Sequence, residues 1–131
     1  TDYYEPVFDA NDEREGRHHG SGLGLRDGEI VVRLDGRGFW RTGVNATLGE
    51  WQHVGLSFDG RKAVLYVNGE ERAATDYEAD ARQLAGKNYR LGWGQHGQQD
   101  NTRTYFDGEI FGAAIAGRAL KPDMHAFPPP Q

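Results

Sequence analysis

Residues 48–74 read LGEWQHVGLSFDGRKAVLYVNGEERAA, and apolar residues recur at every second position in two runs of this stretch, Glu50–Asp59 and Lys62–Asn68. A period of two puts alternate residues on one face of an extended strand. In the first run Val54, Leu56 and Phe58 share a face. In the second run Leu65 and Val67 share one face, and Val64 and Tyr66 share the other. The stretch therefore predicts two neighbouring strands.

Turn dipeptides follow both runs. Asp59-Gly60 separates the first run from the second, and Asn68-Gly69 leads from the second into Glu70–Ala74. Tight hairpin turns need positive φ at their central residues, which Asn, Asp and Gly adopt most readily. The sequence predicts a three-stranded meander here.

The same pattern extends on both sides of the meander. Asp27-Gly28 lies between two further candidate strands, Gly22–Arg26 and Glu29–Leu34. Additional short strands are predicted at Phe39–Arg41, Tyr89–Gly92 and Asp107–Ala116. The last of these is apolar on both faces, which is typical of a buried, central strand. Tyr77–Ala85 fits a short surface helix or a loop.

The composition bounds the class of protein. The 131 residues predict one domain, 1–131, and 15 Lys+Arg against 20 Asp+Glu give a net charge of −5, which argues against nucleic-acid binding. The sequence contains no run of about 18 apolar residues, so it does not predict a membrane-spanning segment. There is no cysteine, and glycine occurs 19 times, as expected for many tight turns. Short strands with almost no helix predict an all-β sandwich or barrel, and the strand that is apolar on both faces favours the sandwich.

Several motifs together resemble one family. They are Leu48–Gly60, Leu65-Tyr66-Val67-Asn68-Gly69, Tyr89-Arg90-Leu91-Gly92, Phe106–Ile110 and Gly117–Met124. In this order they are similar to a laminin-G-like domain of the concanavalin A-like jelly-roll superfamily, over about residues 20–125. The resemblance implies an antiparallel β-sandwich, with Trp51 and Val54 anchoring a strand in the core. It also implies a non-catalytic, lectin-like accessory domain of a secreted or cell-surface protein.

The N-terminal part departs from this resemblance. Similar domains begin with further strands, whereas residues 1–20 are predicted to be an irregular segment in which Val7-Phe8-Asp9 could supply one strand; residues 127–131 form a Pro-rich tail. If those N-terminal strands are lacking, the buried strand at Asp107–Ala116 has an open neighbouring position. Exposed apolar edges promote association. We therefore expect a partner chain or adjoining domain to cover that edge, and a structural or assembly subunit is the alternative function.

Catalytic signatures are weak. Enzymes of the superfamily that cleave glycans carry carboxylates in the pattern Glu-x-Asp-x-(x)-Glu, which can flank a glycosidic bond. Glu78-Ala79-Asp80 is the nearest match and lacks the second glutamate, and no Gly-x-Ser-x-Gly motif is present. A divergent glycoside hydrolase is the least favoured interpretation.

The acidic run from Asp9 to Glu15 is a candidate metal site. Carboxylate and carbonyl oxygens in a loop are the ligands that Ca²⁺ prefers, and they would come from Asp9, Asn11 and Asp12. The resemblance also implies a rim Ca²⁺, although His19-Gly20-Ser21 stands where a ligand aspartate is usual. A solvated charged loop is the simpler alternative. His18-His19 with His96 could hold Zn²⁺ only in a loop conformation, and ordinary surface histidines are the alternative.

A polar stretch from Trp93 to Arg103 is the candidate ligand site. It is predicted to be a long loop with one aromatic ring, side-chain amides, a carboxylate and a guanidinium, which suit the stacking and hydrogen bonding of a sugar. The candidate residues are Trp93, His96, Gln98, Asp100, Asn101 and Arg103, with Arg17 and Tyr105 if the rims converge. Alternatively, Trp93 packs on the core. The sequence thus predicts a module that binds a glycan or glycoprotein.

Overall fold

The computed structural model describes residues 4–14, 17–34, 39–77, 88–91, 93–96, 102–105 and 108–110. Within these ranges the chain forms strands and turns and no helix. The strands are β1 Tyr4–Arg14, β2 Arg17–Arg26, β3 Glu29–Leu34, β4 Phe39–Asn45, β5 Val54–Phe58, β6 Lys62–Val67, β7 Glu70–Asp76, β8 Asn88–Leu91, β9 Trp93–His96 and β10 Thr102–Tyr105. None of the ranges contains a helical segment suited to spanning a bilayer.

The strands build two sheets and one separate hairpin. Five strands pair in the order β4-β3-β2-β1-β8, three pair in the order β5-β6-β7, and β9 pairs with β10. All paired neighbours are antiparallel. The predicted meander and the strand Glu29–Leu34 are confirmed.

The core lies between the two sheets. Ile30 and Val44 of the five-stranded sheet pack with Leu65 and Val67 of the three-stranded sheet. Partly buried residues surround this cluster, among them Leu23, Leu25, Trp40, Ala46, Val54 and Ala73. Packing of two antiparallel sheets around one apolar layer is the predicted β-sandwich.

Two predicted hairpin turns have the backbone geometry that they require. Asp27 and Gly28 have φ values of 51° and 82°, and Asn68 and Gly69 have φ values of 52° and 80°. At the third turn, the Asp59 carboxylate accepts hydrogen bonds from the backbone N–H groups of residues 61 and 62, at 2.9 and 2.8 Å. These two bonds hold the pKa of Asp59 below its ordinary value.

The expectation of an irregular N-terminal segment is wrong. Residues 4–14 form β1 and residues 17–26 form β2, so the described part of the chain has strands at its N-terminal side. The acidic run is polar, but strand formation needs only backbone donors and acceptors. β1 finds these on both sides, because it pairs with β2 and with β8. Residues 9–14 of the expected calcium-binding loop are therefore part of a strand.

Two further expectations need correction. Trp51 does not anchor the core: its exposed fraction is 41%, and β5 begins only at Val54, which does pack against the core. Gly108–Ile110 are irregular instead of belonging to a strand. The rest of the predicted strand Asp107–Ala116, the segment at residues 78–87 and the Pro-rich tail lie outside the described residues, so the predicted open edge does too.

A bulge interrupts β4 at the edge of the described five-stranded sheet. Glu29 pairs with Asn45 and Val31 pairs with Arg41, so the three residues at 42–44 oppose Ile30 alone. One Glu29 carboxylate oxygen accepts from Nε and Nη2 of Arg41, at 3.2 and 2.8 Å, and the other accepts from the Gly43 N–H, at 3.0 Å. Gly43 has a φ of 75°, which favours glycine. The carboxylate thus holds the bulge in place.

Replacing Glu29 by glutamine is expected to destabilise the fold by about 1 kcal/mol at pH 7, because charge-assisted bonds are lost at a partly exposed site. The Gly43 N–H and Arg41 hold the pKa of Glu29 below its ordinary value of 4.5. The pKa of Glu29 is therefore lower in the folded state than in the unfolded state. The stabilisation by its ionised carboxylate is complete above the unfolded-state pKa and is lost as the pH falls through the folded-state pKa.

Urea denaturation of both proteins between pH 7 and pH 3 measures this effect. The difference in unfolding free energy should stay constant down to about pH 5.5 and shrink below 4.5. A difference that is the same at pH 3 and pH 7 would contradict the role of the ionised carboxylate.

Candidate functional site

A column of glycines runs along the middle strand of the five-stranded sheet. Leu23 and Leu25 of β2 contact the core between the sheets. The alternate positions, Gly20, Gly22 and Gly24, therefore lie on the face turned away from the three-stranded sheet. We call this face the outer face. Glycine has no side chain, so other groups can approach the backbone closely along the column. Gly22 and Gly24 are themselves buried, so other parts of the chain already cover these two positions.

Polar residues occupy the register positions on one side of this column. On β1, Asp9 pairs with Gly22 and Asn11 pairs with Gly20. On β8, the next strand outward, Arg90 pairs with Asp9 and Asn88 pairs with Asn11. Paired residues of antiparallel strands share a face, so four polar positions lie together beside the glycines. Carboxylate, amide and guanidinium groups are the types that hydrogen-bond sugar hydroxyls.

On the other side of the column, β3 contributes Val31 opposite Gly24 and Arg33 opposite Gly22. Val31 is fully buried, and Arg33 is only 7% exposed. Burial of a charged group is costly, so an arginine at such a place is unusual in a purely structural sheet. This half of the outer face is sheltered from solvent.

The predicted ligand loop is mostly a hairpin. β9 and β10 pair with Trp93 opposite Tyr105 and Gln95 opposite Arg103, so these four positions share one face of the hairpin. His96 pairs with Thr102 on the other face, which separates it from Trp93 and Arg103. The hairpin lies against β1, the strand that carries Asp9 and Asn11. The structure therefore brings part of the predicted ligand set close to the polar strand.

The other predicted ligand residues are placed differently. Gln98, Asp100 and Asn101 lie outside the described residues. Arg17 begins β2 opposite Arg14, at the end of the β1–β2 hairpin. The glycine column and the neighbours on β8, Asn88 and Arg90, are candidate site residues that were not predicted. The repeat of glycine at positions 20, 22 and 24 was a visible signal for the column.

The acidic run does not form the loop that calcium binding was expected to use. Asp9 and Asn11 share one face of β1, whereas Asp12 lies on the other face, opposite His19. Neighbouring His18 and His19 alternate in the same way along β2. No group of three or more His, Cys, Asp or Glu side chains that could hold a metal occurs among the described residues. Calcium binding by Asp9, Asn11 and Asp12 stays a prediction that this strand geometry does not favour.

A search of curated proteins gives no match. Among solved structures, the chain is similar to the S-layer domain-containing protein (residues 221–444) from Clostridium thermocellum, with 20% sequence identity and a TM-score of 0.45. That similarity covers 92% of this chain and 60% of the other, so this chain spans less than two thirds of that protein's solved length.

A family model described as the concanavalin A-like lectin/glucanases superfamily, laminin-G type, matches residues 1–124. The match includes the meander, the glycine column and the β9–β10 hairpin. It agrees with the resemblance carried by the turn and strand motifs, and with the two antiparallel sheets. The chain belongs to the concanavalin A-like lectin/glucanase superfamily.

Proposed function

We propose that this domain is a non-catalytic module that binds saccharides outside the cytoplasm, as an accessory part of a larger extracellular or cell-surface protein. The observation that carries the proposal is the group of polar positions that share the outer face on β1 and β8, namely Asp9, Asn11, Asn88 and Arg90. Membership of a superfamily that includes lectins supports the ligand class.

The arrangement suits a sugar chain in three ways. Gly20, which pairs with Asn11, adds no side chain that an approaching ring would meet. The polar positions supply planar donors and acceptors for hydroxyl groups. The β9–β10 hairpin, which lies against β1, adds the aromatic positions Trp93 and Tyr105 for stacking on the C–H face of a sugar. A single site of this kind binds a sugar weakly, and several copies of the domain would raise the avidity.

Cleavage of the sugar is less well supported than binding. Glycosidases need two carboxyl groups about 5–9.5 Å apart. On the outer face of β1 the carboxylate positions are Asp9 and Glu13, and four strand residues span about 13 Å. Glu29, at the end of the same face, is engaged by Arg41 and Gly43. These observations favour a binding role over a hydrolytic one.

Replacing Trp93 by alanine tests the proposal. A glycan array identifies the saccharide, and calorimetric titration then measures its affinity for each variant. We expect Trp93→Ala and Asn11→Ala each to weaken binding at least tenfold, or about 1.4 kcal/mol. Lys62→Ala is the matched control, because Lys62 is exposed on the three-stranded sheet. No saccharide binding by the wild type, or unchanged affinity in both variants, would contradict the proposal, and release of reducing sugar would replace it with hydrolysis.

A further inference from the structure

A second surface lies where three connections meet at one end of the sandwich. We call it the turn rim; it comprises the turn at residues 27–28, the loop at residues 46–53 and the turn at residues 68–69. The N–H of Ala46 donates to the carbonyl of Gly28 at 2.9 Å. The N–H of His53 donates to Oδ1 of Asn68 at 3.0 Å, and the N–H of Asn68 donates to the carbonyl of His53 at 2.8 Å. Both ends of the loop are therefore fixed to a turn.

The loop is also braced internally. The N–H of Thr47 donates to Oε1 of Gln52 at 2.8 Å, and Nε2 of Gln52 donates to Oγ1 of Thr47 at 3.4 Å. Between them, Gly49 has a φ of 78° and open space where a Cβ would lie. A loop held at its ends and across its middle presents its side chains in a fixed arrangement, which lowers the entropy cost of binding.

This braced loop displays two apolar side chains to solvent. Leu48 is 90% exposed and Trp51 is 41% exposed, and they are the exposed large hydrophobic residues of the described part of the chain. They stand three positions apart along the loop, and Leu48 belongs to the turn at residues 48–49. Trp51 can therefore offer a partly open indole face, with an apolar group next to it along the loop.

The surroundings of Trp51 indicate the chemistry of a ligand. Exposed amide and carboxyl residues lie in the turn rim or directly beside it along the chain, namely Asp27, Asn45, Glu50, Asn68 and Glu70. An aromatic ring among such groups suits a sugar better than a hydrocarbon surface, because both the C–H face and the hydroxyls find partners. The carboxylates of Glu50 and Glu70 would repel sulfated or uronic sugars and anionic lipids. We propose that the turn rim is a second saccharide site, selective for neutral sugars, with Trp51 as its stacking ring.

The inference rests on the proposed function for its ligand class only; the surface and its residues are separate from the outer face. Two sites on one rigid domain would let a single copy bridge two saccharide chains, or two segments of one chain. Linked binding of this kind raises the overall affinity without new contacts.

The test is a chemical-shift titration of the ¹⁵N-labelled chain with laminarihexaose and cellohexaose as neutral probes and a chondroitin sulfate hexasaccharide as the anionic one. We expect a neutral probe to move the Trp51 indole N–H and the Gly49 amide signals. Trp51→Ala should weaken binding at the rim at least tenfold, and Trp51→Phe should stay within about threefold of wild type. Lys62→Ala is the control, and thermal unfolding checks that each variant is folded.

The outcomes separate this inference from the proposed function. Shifts confined to the β9–β10 hairpin and β1 would overturn the rim site and leave the proposed function standing. Shifts confined to the rim would support the rim site and contradict the outer-face site. No shift with any probe would contradict both. Binding of the anionic probe alone would overturn the inference. Rim signals that move with protein concentration in the absence of sugar would also overturn it, because the rim would then be a contact between copies of the chain.

Discussion

Replacing Leu65 by alanine is expected to lower the free energy of unfolding by about 3 kcal/mol, because it removes a leucine side chain from the interior and leaves a cavity. Leu65 is fully buried on β6, the middle strand of the three-stranded sheet. It packs with Ile30 and Val44 of the opposite sheet. The substitution therefore weakens the contact that joins the two layers. Urea denaturation followed by tryptophan fluorescence measures the loss.

The chain offers a matched control for this change. Leu48→Ala removes the same atoms from a side chain that is 90% exposed, so its effect should stay within about 0.5 kcal/mol. Equal losses in the two variants would mean that burial between the sheets does not stabilise Leu65. The described sandwich packing would then be wrong.

Replacing Asn68 by alanine is expected to destabilise the fold by about 2 kcal/mol, from two sources. Alanine at a φ of 52° adopts a left-handed conformation that costs about 1 kcal/mol. The hydrogen bond from the His53 N–H to the Asn68 side chain is also lost, at about 1 kcal/mol. Thermal and urea unfolding of the variant measure the sum.

Asn68→Gly separates the two sources. Glycine accepts the positive φ but cannot provide the side-chain oxygen, so we expect about half of the alanine effect. Equal destabilisation by alanine and glycine would mean that the left-handed conformation carries no penalty here. No destabilisation by either would contradict the role of Asn68 in fixing the start of β5.

The local part of this fold is readable in the sequence. β3, with its bounds at Glu29 and Leu34, and the meander of β5, β6 and β7 combine a period of two with turn dipeptides of positive φ. Both signals act between residues that are neighbours along the chain, so a single sequence contains them. Two of the family motifs, Leu48–Gly60 and Leu65–Gly69, overlap this meander, so the same stretch also pointed to the superfamily.

The remaining parts depend on contacts between distant segments. β1 is rich in charged residues and is a strand because β2 and β8 supply backbone partners on both sides. Trp51 has a large apolar side chain of the kind that usually packs in a core. β5 nevertheless begins only after His53, whose backbone N–H donates to the side chain of Asn68. The bulge in β4 depends on Glu29, more than ten residues away along the chain. No local pattern reveals such effects.

The candidate site shows the same division. The alternating glycines of β2 could have been noticed in the sequence, since they need only the period of a strand. The placement of Asn88 and Arg90 beside Asn11 and Asp9 could not, because it depends on the register between β1 and a strand more than 70 residues later. The separation of His96 from Trp93 likewise follows from pairing with β10.

The bulge that Glu29 holds in β4 also affects how copies of this protein behave when they are crowded. Ordered fibrils grow when identical flat strand edges template one another. Along β4, only Phe39–Arg41 keeps a regular register before three residues turn out of line. A strand of a second molecule that docked there could form backbone hydrogen bonds only along this short stretch. Within the part of the chain that the structure describes, the ionised carboxylate that shapes this edge therefore also disfavours fibril growth from it.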